Sequence, residues 1–75
     1  MIGDLDASIN KVIEEAGEVL QAIGKAKRFG WYNHHPTTLV VNLDALKSEL
    51  TDLKSSIEYL EINLETIPAA DDKTR

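Results

Sequence analysis

The strongest constraint on this chain is a leucine register in its second half. Leu39, Leu43, Leu46, Leu50, Leu53, Ile57, Leu60 and Leu64 alternate spacings of four and three without a break. That period marks an α-helix with a continuous apolar seam. The spacing predicts a helix over about 39–65, with Thr37 or Thr38 as its cap. A first helix is predicted over about 4–29, where Ile9, Val12, Ile13, Ala16, Val19, Leu20, Ile23 and Ala26 recur at helical spacing. Asp4 or Asp6 is placed to cap its start, and Gly30 to end it. Gly17 and Gly24 lie on one side of this helix, as a close helix approach would need. Between the helices, Gly30 to Pro36 reads as a loop.

Two long helices and a short loop make an antiparallel hairpin. One hairpin cannot cover both of its apolar faces. The expected fold is therefore all-α, a helical hairpin assembling into a four-helix bundle by dimerisation, with a dimer or tetramer as the final state. Residues 1–68 form the single domain and 69–75 a polar tail. With 75 residues and no cysteine, no disulfide or thiolate metal site staples the fold. The longest apolar run is Leu39-Val40-Val41, too short for a membrane span. The N-terminus does not read as a signal peptide, so a cytoplasmic protein is expected. A net charge of −5 and the lack of a basic stripe along either helix argue against nucleic-acid binding.

Chemistry, if the chain has any, lies in its thirteen acidic residues. Glu15 and Glu18 share one face of the first helix, and Glu49 and Asp52 one face of the second. From the leucine seam, Glu49 sits roughly 65° and Asp52 roughly 125° off the apolar centre; Glu15 sits roughly 105° off its own. All three therefore read as boundary or outer residues. The small neighbours Ala22, Ala26, Ala45 and Ser56 leave room above them. Two i,i+3 acidic pairs from antiparallel helices can converge on about four carboxylates, a repulsive cluster unless cations fill it. Mg²⁺ suits it, as a hard ion that keeps substrate phosphates in its shell, with Mn²⁺ able to take its place. The competing reading is an ordinary solvated acidic face, as for Glu14, Glu58, Glu61 and Glu65 with Lys11, Lys47 and Lys54 interleaved.

The run Glu14-Glu15-Ala16-Gly17-Glu18, followed by Lys25 and Arg28-Phe29-Gly30 and then by Glu49-Leu50-Thr51-Asp52, resembles the E-E-x-x-E … E-x-x-D signature of the MazG-like all-α nucleoside triphosphate pyrophosphohydrolases. The resemblance covers about residues 9–62. It implies Mg²⁺-dependent cleavage of a (deoxy)nucleoside triphosphate to monophosphate and pyrophosphate, in nucleotide-pool cleaning. It makes Glu15, Glu18, Glu49 and Asp52 metal ligands and Glu14 an additional acid, with Glu14 and Glu15 as the catalytic pair. Lys25 and Arg28 become phosphate contacts, or else serve the helix dipole. Many members carry a further helix after E-x-x-D that is not found here, so either a second subunit completes the pocket or the chain has lost part of its activity.

In the loop, Trp31 and Tyr32 either stack a base or close the end of the bundle. The adjacent His34 and His35 point apart and do not make a metal pair. Phe29 reads as core. The rival function is a non-catalytic dimeric hairpin, an adaptor or oligomerisation module, which the leucine seam alone would justify. A small DNA-binding helical dimer is disfavoured by the charge.

Overall fold

A computed structural model describes residues 2–67, with side-chain surroundings from Asp4 onward. The tail 69–75 and Pro68 lie outside the described residues. The described chain is all-helical, an antiparallel pair of α1 (Ile2–Phe29) and α2 (Asn42–Leu64). Among the described residues, no helix is long and apolar enough to cross a membrane. The molecule measures 53 × 21 × 14 Å. Its thinnest dimension is about one helix, so both broad faces of the hairpin are open.

α1 ends where expected. Gly30 takes φ 100°, and its amide donates to the Ala26 carbonyl at 2.9 Å, a left-handed termination that suits glycine. The Asn33 side-chain amide then donates to the Phe29 carbonyl at 3.1 Å, and that of Asn42 to the Gly30 carbonyl at 2.9 Å. The start differs from expectation: Asp4 lies inside the first turn rather than capping it, and Asp6 follows within the helix.

α2 begins three residues later than the leucine register predicts. Val40 and Val41 are β-branched and favour extended backbone. Val41 is extended, at φ −68° and ψ 139°, and forms a bridge with His34. Leu39 turns the chain at φ 62°; the His35 amide donates to the Val40 carbonyl and the Leu39 amide to the His35 carbonyl. Neither threonine caps α2, since Thr38 Oγ1 accepts only the Val40 amide, at 3.4 Å. Instead the loop backbone is the cap: the Asn42 and Leu43 amides donate to the Asn33 and Trp31 carbonyls, each at 2.8 Å.

The seam that faces α1 is not the leucine register either. Asn42, Leu46, Glu49, Leu53, Ser56, Leu60 and Asn63 are all buried or half-buried, a 4-3-4-3 series in which every other member is polar. It meets Leu5, Ser8, Val12, Glu15, Val19, Ala22 and Ala26 of α1, also all buried or half-buried. The apolar centre is small: Val19, Ala22 and Leu46, with Ile23 and Leu53 packed against it. Ser8 is fully buried and donates to the Leu5 carbonyl at 2.8 Å; Ser56 does the same to Leu53. These local bonds leave two small side chains satisfied between the helices.

The rest of the apolar surface faces outward. Ile13 is 65% and Leu20 70% exposed. Leu50, Ile57 and Leu64, every seventh residue of α2, are exposed as well. By the 100° step, Ile9, Ile13 and Leu20 lie on the same broad face of the antiparallel pair as Leu43, Leu50 and Ile57. Gly17 and Gly24 are not close-approach points within the hairpin, since a Cβ at either would meet nothing within 4 Å. Phe29 is 56% exposed and is not core.

Candidate metal and phosphate site

The opposite broad face carries the acids. Glu15 is not a boundary residue: it is 4% exposed, in the contact seam of α1. Glu49 occupies the matching seam of α2, half-buried, and its Oε2 is buried without a hydrogen-bond partner. The half-buried Glu49 is the boundary residue its angle gave. Glu15 departs from its angle because the helices meet along only part of the apolar surface from which that angle runs.

The tightest gathering is Glu14, Glu15 and Glu18, each offering an oxygen within 4.8 Å of the others. Glu49 joins by standing close enough for its carboxylate to raise the Glu18 carboxyl. Asp52 is exposed but near enough for its charge to act on Glu15. One lysine sits among them. Lys11 Nζ lies 3.7 Å from Glu14 and 4.0 Å from Glu15, and both Lys11 and Glu14 are exposed, as on a solvated face. Its i,i+3 and i,i+4 spacing to those acids was a readable signal.

Two carboxyls are pushed above the ordinary value of 4.5. For Glu15 burial is the largest cause, followed by the hydrogen bond to Glu18, the Glu18 charge and the Asp52 charge, with Lys11 opposing. For Glu18 the hydrogen bond to Glu49 leads, and burial with the charges of Glu49 and Glu14 adds to it, against a lowering hydrogen bond from Glu15. Both shifts have the sign expected of carboxyls crowded by other carboxyls.

Three clefts run along the face. A cavity of 480 Å³ is lined by Lys11, Glu14, Glu15, Glu18, Asp52 and the serines 55 and 56. A second, of 270 Å³, takes Glu18 and Glu49 together with Gln21, Ala22, Lys25 and Ala45. The third, of 410 Å³, lies at the loop. Glu18 joins the first two; Lys25 and Asn42 join the second to the third. The small residues Ala22, Ala45 and Ser56 line the acidic clefts as their size suggested.

The donor set fits a hard divalent cation. Every candidate ligand is a carboxylate oxygen, and one buried oxygen lacks a partner. Of the expected phosphate contacts, Lys25 lines two of the clefts. Arg28 is elsewhere, its guanidinium 5.5 Å from the centre of the Phe29 ring. Trp31 is exposed on the loop and lines none of the three clefts. Asn42 is a cleft residue that no sequence motif marked. The chain matches no family model, no curated protein and no solved structure.

Proposed function

We propose that this chain is a nucleoside triphosphate pyrophosphohydrolase whose acidic face holds Mg²⁺. The observation that carries the reading is the burial of Glu15 and of Glu49 Oε2 between two helices that have apolar residues to spare. Buried carboxylates crowded by other carboxylates are costly. A packing module would place leucine there. The adaptor reading accounts for the apolar face but leaves these acids without a purpose.

Glu15, Glu18, Glu49 and Asp52 would hold the metal, with Glu14 beside them. A bound divalent ion supplies charge neutralisation at the phosphates and a more acidic water. Lys25 stands along the groove from Glu18 and receives the far end of the phosphate chain. Lys11 keeps Glu14 and Glu15 in place by its paired charges. The carboxylates that bind metal give up the protons they share, so metal binding is coupled to proton release.

The apolar face supports assembly with a second copy. Ile13, Leu20, Leu50, Ile57 and Leu64 remain exposed on a hairpin one helix thick, and burying such a face in a four-helix bundle is the usual remedy. Because the acids lie on the other broad face, a copy docked there leaves the clefts open to substrate.

The test is pyrophosphate release from a panel of ribo- and deoxynucleoside triphosphates with Mg²⁺. Turnover of at least one is expected. Folded protein that turns over none removes the enzyme claim.

A further inference from the structure

The third cleft is built differently from the acidic pair. Its walls include Phe29, His34, His35, Pro36 and Asn42, with Lys25 at the mouth shared with the acidic groove. Its 410 Å³ falls in the range of small-molecule sites.

The hydrogen bonds around the two histidines set their tautomers. His35 Nδ1 accepts the amides of Thr37 and Thr38, at 3.1 and 3.3 Å. The neutral ring then carries its proton on Nε2, leaving a donor. His34 Nδ1 lies 3.2 Å from the His35 carbonyl, which can only accept. Its proton is therefore on Nδ1, and Nε2 is left as an acceptor. Asn42 spends its amide group on the Gly30 carbonyl, so its Oδ1 is a second acceptor. The residues lining the cleft thus carry one ring donor, two acceptors and an aromatic ring, beside Pro36, Asn33 and Lys25. Two neighbouring histidines held in opposite tautomers suit a planar ligand whose edge mixes donors and acceptors.

We infer that the loop cleft of Phe29, His34, His35 and Asn42 binds the nucleobase of the nucleotide whose phosphates lie along the acidic groove. This rests on the proposed hydrolase reading and assigns its base subsite to the turn between the helices. The axial rise supports the placement: Phe29 lies eleven residues beyond Glu18, roughly 16 Å along α1, with Lys25 between them. The Phe29 ring supplies the stacking surface, and the Arg28 guanidinium 5.5 Å from its centre makes it a charged platform. Trp31, one turn further round the loop, has no part in it.

The first experiment follows the His34 and His35 ring signals by NMR, without Mg²⁺, as deoxynucleoside monophosphates or inorganic tripolyphosphate are added. Saturable shifts with the nucleotides and none with tripolyphosphate are expected. Equal shifts with tripolyphosphate would make the cleft a phosphate site, and shifts with neither would leave it without a ligand; both overturn the inference. The second experiment is Phe29→Leu, with helix content checked by circular dichroism. KM or Kd for nucleotide should rise roughly tenfold, the order of one lost base–aromatic stack, with tripolyphosphate affinity unchanged. Parallel loss of both affinities, or of neither, counts against it. The two readings fail separately. Histidine shifts without any pyrophosphate release sink the hydrolase and keep the base site, whereas turnover without histidine shifts does the reverse.

Discussion

The two broad faces of the hairpin solve opposite problems. One presents leucine and isoleucine to solvent, Leu20 at 70% exposure among them. The other draws charge inward, with Glu15 at 4%. A hairpin selected for packing alone would exchange the two. It would turn Leu50 and Ile57 into the contact seam, now held by Glu49 and Ser56. The inversion teaches that helix contact here encloses acids while apolar surface stays outside. Repulsion among the acids and exposure of the leucines both lower the stability of the isolated chain, and the proposed cation and second copy would each relieve one of them.

The sharpest way to break this comparison is at the acids. Glu49→Ala should lower pyrophosphate release at least about a hundredfold, more than losing a group that merely orients a ligand. The metal-free fold should hold or gain stability, because like charges are thinned. A variant that loses activity and folding together would show that Glu49 is structural.

The apolar face is tested next. Leu20→Glu should convert an assembled wild type to a monomer in analytical ultracentrifugation. The change removes about 2 kcal/mol of apolar burial per copy and adds a charge. A monomeric wild type at micromolar concentration would contradict the assembly.

Thermal melting then reads the cation. At a hundredfold excess over its Kd, Mg²⁺ should stabilise by about 2.7 kcal/mol. Glu18→Gln should weaken that response, and an unchanged melting curve in wild type would mean that protons and Lys11 suffice.

The smallest effect expected is in pH. Glu15 and Glu18 titrate above the ordinary 4.5 in the fold, so the native chain binds more protons than the unfolded one between that value and the raised ones. Stability without metal should fall as pH rises through this window, and saturating Mg²⁺ should flatten the dependence. A metal-free protein that gains stability over the same window would show the cluster to be uncrowded.

Much of this was legible in the residues. Periodicity announces both helices, and Gly30 announces the end of the first, because a left-handed residue there needs no Cβ. The two i,i+3 acidic pairs announce a cluster, because helical geometry leaves them on one face. Local preference also misled. The leucine at 39 continues the period, yet Val40 and Val41 hold the chain extended and delay α2 to Asn42. A period of seven tells which residues share a stripe, and nothing in it tells which stripe meets which.

Helical repeat and residue chemistry along one chain determined that there are two helices, where the first stops, and that each carries an i,i+3 acidic pair. Which stripe became the contact seam was decided only when two helices packed antiparallel, because rotation of each about its axis is set by its partner. That rotation buried Glu15 and half-buried Glu49, turned half of the leucines outward, and brought Lys25 into line with a loop cleft no linear motif records.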